Sequence, residues 1–181
     1  MQWSYGDSTS TGFSDTLAAS LNAIVPTVGP VVADKTQEGG LTAAGQAARV
    51  VADLAARGEN YRWVLITIGS NDLDSANDVG KQAQFEGDLG TTLDAIHAKW
   101  VNALVYVARP WRRNYMAEAN IISGFIANVV TARSPWAGLG PDARVWMENG
   151  DDGTTLTVEG VHPNAAGYLV AATEWQTVLG Y

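Results

Sequence analysis

The sequence predicts an α/β chain in which one parallel sheet carries helices on both faces. Three observations lead there. Strand-like and helix-like apolar patterns alternate along the 181 residues, roughly five times by periodicity. The run WVLITI at 63–68 lacks polar alternation and is rich in β-branched residues, as a strand buried on both faces requires. The stretches between strands are amphipathic at helical spacing, and right-handed crossovers then distribute helices to both sides of the sheet.

Taken in order, Gln2–Tyr5 is a short strand. Phe13, Leu17, Leu21 and Ile24 recur at helical spacing, and Pro26 stops that helix. Val31–Ala33 is a second short strand. Thr42 caps a helix with Ala47, Val50 or Val51, and Leu54 as its buried stripe, and Gly58 marks its end. Trp63–Ile68 is the third strand. Phe85, Leu89, Leu93, Ile96 and Trp100 form a regular apolar face. Ala103–Val107 is the next strand, broken by Pro110. Ala119, Ile122, Ile126 and Val129 line another helix, and Ala143–Met147 is expected to be the last strand. Residues 148–160 read as a polar surface loop. Asn164 caps a final helix carrying Tyr168 or Leu169, Ala172, Trp175 and Leu179.

The length suits one domain spanning 1–181. Apolar residues make up 46% and charged residues 17%, the balance of a globular rather than a disordered chain. A formal charge of −8, from 11 basic and 19 acidic residues, argues against a nucleic-acid partner. The basic cluster Arg109, Arg112 and Arg113 is too small to follow a phosphate backbone. The absence of cysteine excludes disulfides, thiolate catalysis and cysteine-ligated metals. The residues contain no signal peptide or membrane-spanning stretch. A soluble protein is expected, either cytoplasmic or secreted with its leader removed, and oligomeric state stays open. Seven tryptophans are enough to serve both core and groove.

Ligands of such sheets bind beyond the carboxyl ends of the strands. Four polar segments are expected there: Gly6–Ser8, Asp34–Gly40, Gly69–Asp72 and the loop before His162. They suggest a serine nucleophile. Ser8 needs a base within about 3 Å to take its proton, and the imidazole of His162 suits that task near neutrality. Glu159, three residues earlier, can orient the ring, with Asp151 and Asp152 as competing orienters. A developing oxyanion needs preorganised donors. The Ser8 N–H, a backbone N–H at Gly39 or Gly40, and the Asn71 amide are the candidates. Taken singly, His162 also fits a local cap, and Gly69-Ser70-Asn71-Asp72 also fits a strand-to-loop turn. His97, on a predicted helix, reads as structural. Metal-ligand clusters, the dinucleotide Gly-x-Gly-x-x-Gly pattern and the Walker loop are missing from the sequence, so no cofactor or metal is expected. The Gly-x-Ser-x-Gly elbow is missing too.

Gly6-Asp7-Ser8, Gly40, Gly69-Ser70-Asn71-Asp72 and Gly160-Val161-His162-Pro163 resemble, in order, the sequence blocks of the SGNH hydrolases, also called the GDSL lipase/esterase superfamily. The resemblance implies a three-layer α/β/α sandwich with a mostly parallel, five-stranded, flavodoxin-like sheet. It implies Ser8 as nucleophile, His162 as base, and Gly40, Asn71 and the Ser8 N–H as the oxyanion hole. Gly40 is preferred over Gly39 because Gly40-Leu41-Thr42 matches the family's Gly-x-Thr. Asp72 supports the loop rather than the chemistry. The chain departs from the family in carrying Glu159 where an aspartate is usual. The activity so implied is hydrolysis of short-chain acyl esters, with acetyl groups on carbohydrate as a candidate class. Asp7, Arg109 and Trp111 are candidate substrate contacts, and Trp111 and Trp136 are expected to be exposed rings for stacking on a sugar. The plainer reading of the 109–113 cluster is solvated arginines around one packed tryptophan. A thioesterase or lysophospholipase on the same site, or an inactive carbohydrate-binding module, are the alternatives.

Overall fold

The computed structural model describes residues 2–6, 17–23, 33–37, 42–58, 61–150, 155–158 and 162–181. Their elements run, in order, β1 (Gln2–Gly6), helical residues 17–23 (α1), β2 (Ala33–Gln37), α2 (Ala43–Ala55), β3 (Trp63–Thr67), a short 3-10 turn (Leu73–Ser75), α3 (Lys81–Lys99), β4 (Leu104–Arg109), α4 (Met116–Thr131), β5 (Ala137–Asp142), α5 (Ala143–Gly150), β6 (Thr157–Val158), β7 (His162–Pro163) and α6 (Ala165–Val178).

The chain has the expected α/β architecture with a parallel sheet. The hydrogen-bonded order is β2-β1-β3-β4-β5, and each neighbouring pair is parallel. The sequence direction therefore reverses at β1: the chain steps outward to β2, then back across β1 to β3. Such a reversal leaves a crevice above the carboxyl ends of the two strands that flank it. The register sets the level of that edge. Gly6 stands opposite Gln37 on one side and Thr67 on the other, and Thr67 stands opposite Ala108.

Side-chain alternation explains why β3 shows no polar period. Val64 and Ile66 enter one buried cluster with Phe85, Leu89, Leu93, Ile96, Ile122 and Ile126. Trp63 and Leu65 enter a second cluster with Leu17, Leu21, Ala172 and Trp175. One strand thus feeds two cores, with α2, α3 and α4 on one face and α1 and α6 on the other. β4 repeats the pattern, with Val105 and Val107 to the first cluster and Tyr106 and Ala108 to the second. Each large aliphatic or aromatic side chain so buried contributes about 1.5–3 kcal/mol. The predicted faces of α3 and α4 are buried at every position. Thr42 caps α2 as predicted, its hydroxyl accepting from the Gly45 N–H at 3.4 Å. The α2 stripe resolves to Val50, since Val51 is 66% exposed. In α6, Trp175 and Ala172 are buried and Leu169 faces out. Phe13, Ile24 and Pro26 lie outside the described residues.

Three sequence expectations need correction. Ala143–Met147 is helical, the start of α5, and the strand is Ala137–Asp142 just before it. The strand sequence AGLGPD lacks the β-branched residues that mark strands, and larger side chains at Gly138 and Gly140 would meet the Tyr106 and Trp175 rings. Asp34–Gly40 was expected beyond a strand end, but Asp34–Gln37 lie within β2. β2 ends the strand order, and an edge strand tolerates polar residues that a central one does not. Residues 148–160 are not simply loop, because 148–150 close α5 and Thr157–Val158 form β6.

β6 and β7 make a small antiparallel ribbon, with Val158 opposite His162. Asn164 fastens it to α6. The Asn164 side-chain oxygen accepts from Ala166 and Gly167 N–H groups at 2.9 and 3.1 Å, while its amide donates to Thr155 and its backbone N–H to Leu156. A Cβ on Gly167 would lie 2.2 Å from the Leu156 carbonyl oxygen, so only glycine permits this approach. Gly167→Ala is expected to destabilise the protein by about 3 kcal/mol and lower Tm by roughly 10 °C. Thermal unfolding followed by circular dichroism checks this, and a Tm within about 2 °C of the parent contradicts the seat of α6 on residue 156.

Candidate active site

The loop after β3 begins at a glycine that no other residue replaces easily. Gly69 has φ +100, and a Cβ there would come within 2.8 Å of Ile122 and 3.2 Å of Pro110. The chain then turns, with the Asp72 N–H donating to the Gly69 carbonyl at 3.1 Å. Within that turn Asn71 is exposed and Asp72 is buried. The Asp72 carboxylate accepts from the Ala43 N–H at 3.0 Å and pairs with Lys81 at 2.6 Å. Its expected role in supporting the loop agrees with these contacts.

A cleft opens beside this turn, at the carboxyl ends of β3, β4 and β5. Thr67, Ile68 and Ser70 line it from β3, and Ala108 to Trp111 from β4. Pro141, Ala143, Trp146 and Met147 close one side, and Pro163, Tyr168, Ala171 and Trp175 another. About 640 Å³ of space lies between these walls when the open mouth is included. Neither Asn71 nor His162 lines the cleft, though each is next in sequence to a residue that does, Ser70 and Pro163. His162, at the start of β7, is exposed. Arg109 and Trp111 lie in the wall itself. Asp7, Ser8, Gly39, Gly40, Asp151, Asp152 and Glu159 lie outside the described residues.

The wall is more aromatic than the sequence reading assigned. Trp146 stood in an expected strand and Trp175 in an expected core stripe, yet both line the cleft with Tyr168. The high tryptophan count was the available signal. Trp111 and Trp136 are not exposed rings. Trp111 is only 8% accessible, and Trp136 is half-buried with His97 stacked on it at 4.1 Å. His97 is thus structural, as read.

The arginines are individually anchored. Arg109 pairs with Asp142 at 3.2 Å, and Arg144 pairs with the same carboxylate at 2.5 Å. Burial works to raise the Asp142 pKa, but hydrogen bonds from Arg144 and the charges of Arg109 and Arg144 outweigh it and hold the group below its ordinary value. Arg112 pairs with Asp74 at 3.3 Å and lies over the Tyr115 ring at 4.4 Å. The Tyr115 hydroxyl, with Arg112, holds Asp74 below the usual carboxylate range. That cluster latches the loop after β3 to the loop after β4. Arg113 is exposed.

Solved structures share this fold over nearly the whole chain. An acetylxylan esterase from Geobacillus stearothermophilus, Axe2, matches with TM-score 0.77 at 17% identity, covering 99% of this chain and 94% of that one. The acetyl xylan esterase AlAXEase matches with TM-score 0.78 at 17% identity, covering 98% of each chain. TesA matches with TM-score 0.74 at 22% identity, covering 99% and 97%. The chain shares its fold with these proteins. No protein-family model matches the sequence, and no curated protein does. At these identities the likeness is one of fold. Among the described residues no helix is long and apolar enough to cross a membrane.

Proposed function

We propose that the protein is a serine ester hydrolase acting on short-chain acyl esters, with acetylated carbohydrate as the favoured substrate class. One observation carries the reading: a cleft at the carboxyl ends of β3, β4 and β5 is lined by Ser70 and Pro163, the sequence neighbours of Asn71 and His162, in a chain with an esterase-type fold. The register supports Ser8 as its nucleophile, because β1 ends at Gly6 level with Thr67 and Ser8 follows two residues on. The strand order supports the five-stranded, flavodoxin-like sheet of a three-layer sandwich, in one domain over 1–181.

In this reading His162 takes the Ser8 proton as the Ser8 hydroxyl oxygen attacks the acyl carbonyl. The negative oxygen of the tetrahedral intermediate is held by the Ser8 N–H, the Gly40 N–H and the Asn71 amide. His162 then protonates the departing alcohol, and the same imidazole activates the water that releases the acid. Glu159 orients His162 from its other nitrogen. Trp146 and Tyr168, half-buried in the cleft wall, suit a sugar ring, which presents apolar faces to aromatic groups. Axe2 and AlAXEase are named as acetylxylan esterases, which favours the same class. Arg109 and Trp111 contact substrate from the β4 side, and Asp7 from the β1 side.

The test is labelling of Ser8 by a serine-directed phosphonate, together with turnover of acetyl, longer acyl, thioester and acetylated-sugar substrates. Labelling at Ser8 with turnover of the acetyl substrates is expected. A folded protein that the phosphonate leaves unlabelled overturns the reading in favour of a carbohydrate-binding module, and preference for thioesters or long acyl chains redirects it to a thioesterase or lysophospholipase. Asn71→Ala is expected to lower kcat about 100- to 1,000-fold with folding intact. Ordinary turnover by that variant removes Asn71 from the mechanism.

A further inference from the structure

Asp72 is buried, with 1% of its surface accessible. A carboxylate so far from water persists only where partners satisfy it, and its partners come from two other segments. Oδ2 accepts from the Ala43 N–H at 3.0 Å, and Oδ1 meets Lys81 Nζ at 2.6 Å. Ala43 is the first residue of α2 and Lys81 the first of α3. The Asp72 backbone closes the turn onto Gly69 and accepts from the Ser75 N–H at 3.2 Å. One side chain therefore joins the turn that carries Asn71, the start of α2 three residues after Gly40, and the start of α3.

We propose that Asp72 is a positioning residue for the oxyanion-binding groups, fixing Asn71 relative to the start of α2 through Ala43 and Lys81. The inference rests on the ester-hydrolase reading given above. Oxyanion donors act on charge that develops only in the transition state, and they act fully only when held close to their productive positions. Loosening the joint therefore lowers kcat and spares KM. Because Asp72 acts through Asn71, its loss matters less once the Asn71 amide is gone.

The test compares the parent, D72N, N71A and the double variant on 4-nitrophenyl acetate, with hydrogen exchange followed at the Ala43 amide. D72N is expected to reduce kcat about 10- to 100-fold with KM within about twofold, and to speed Ala43 exchange at least about tenfold. On the N71A background the same change is expected to cost about threefold or less. A D72N kcat within about twofold of the parent, or its full loss repeated on the N71A background, overturns the proposal. Should D72N fail to fold, Lys81→Gln keeps a donor without the charge and undergoes the same measurements, with kcat expected to fall about three- to tenfold, while Lys81→Arg stays within about threefold of the parent. Lys81→Gln with parental kcat and parental Ala43 exchange is then the overturning result. A parent that hydrolyses no ester and is not labelled at Ser8 defeats the hydrolase reading and the catalytic role of Asp72 with it. Unchanged Ala43 exchange in a folded D72N defeats the joint itself, whatever the activity.

Discussion

Ser8→Ala is expected to lower kcat for an acetyl ester by roughly four to six orders of magnitude, while thermal unfolding stays close to the parent. His162→Ala is expected to lose about as much, and the double variant no more than about tenfold beyond either single one. The reason is that in the proposed mechanism hydroxyl and imidazole act as one unit. A serine without its base is a poor nucleophile, and a base without its serine has no proton to take. What remains in all three variants is binding and the oxyanion donors. Single-turnover kinetics on purified, folded variants checks this. A Ser8→Ala protein that keeps a tenth of parental turnover, or a double variant whose loss is the product of the two, places the chemistry elsewhere.

Glu159→Ala is expected to reduce kcat about 10³- to 10⁴-fold, with Asp151→Ala and Asp152→Ala within about threefold of the parent. An imidazole that accepts a proton from serine becomes a cation, and a carboxylate on its far nitrogen both fixes the ring and stabilises that charge. Glu159 stands three residues before His162, one residue beyond the β6 strand that pairs with β7. Glu159→Asp shortens the side chain by one methylene and is expected to retain at least about a tenth of turnover. If Glu159→Ala works like the parent and Asp152→Ala does not, the orienting acid is Asp152.

The parts of the fold legible in the sequence were those whose burial leaves a pattern. β3 reads as a continuous apolar run because Trp63 and Leu65 face one core and Val64 and Ile66 the other. The α3 face from Phe85 to Ile96 is buried throughout, so its spacing is regular. The elements that were misplaced carry other signals. β5 is written in glycine and proline where ring packing leaves little room, and the polar β2 lies at the end of the strand order. Of the site, Asn71 and His162 were legible as short blocks, and each is next in sequence to a cleft-lining residue. The aromatic wall was not, because Trp146 was read into a strand and Trp175, a core residue as expected, also lines the cleft. Nor was the joint at Asp72, whose partners Ala43 and Lys81 stand 29 and 9 residues away.

Among the described residues the β6–β7 ribbon pairs within itself and not with the large sheet, and Asn164 and Gly167 tie it to α6. The segment bearing the imidazole is therefore an attachment rather than a stave of the scaffold. If the proposed hydrolase reading holds, a ribbon of different length between α5 and Asn164 is expected to alter which esters are accepted while the large sheet keeps its strand pairing.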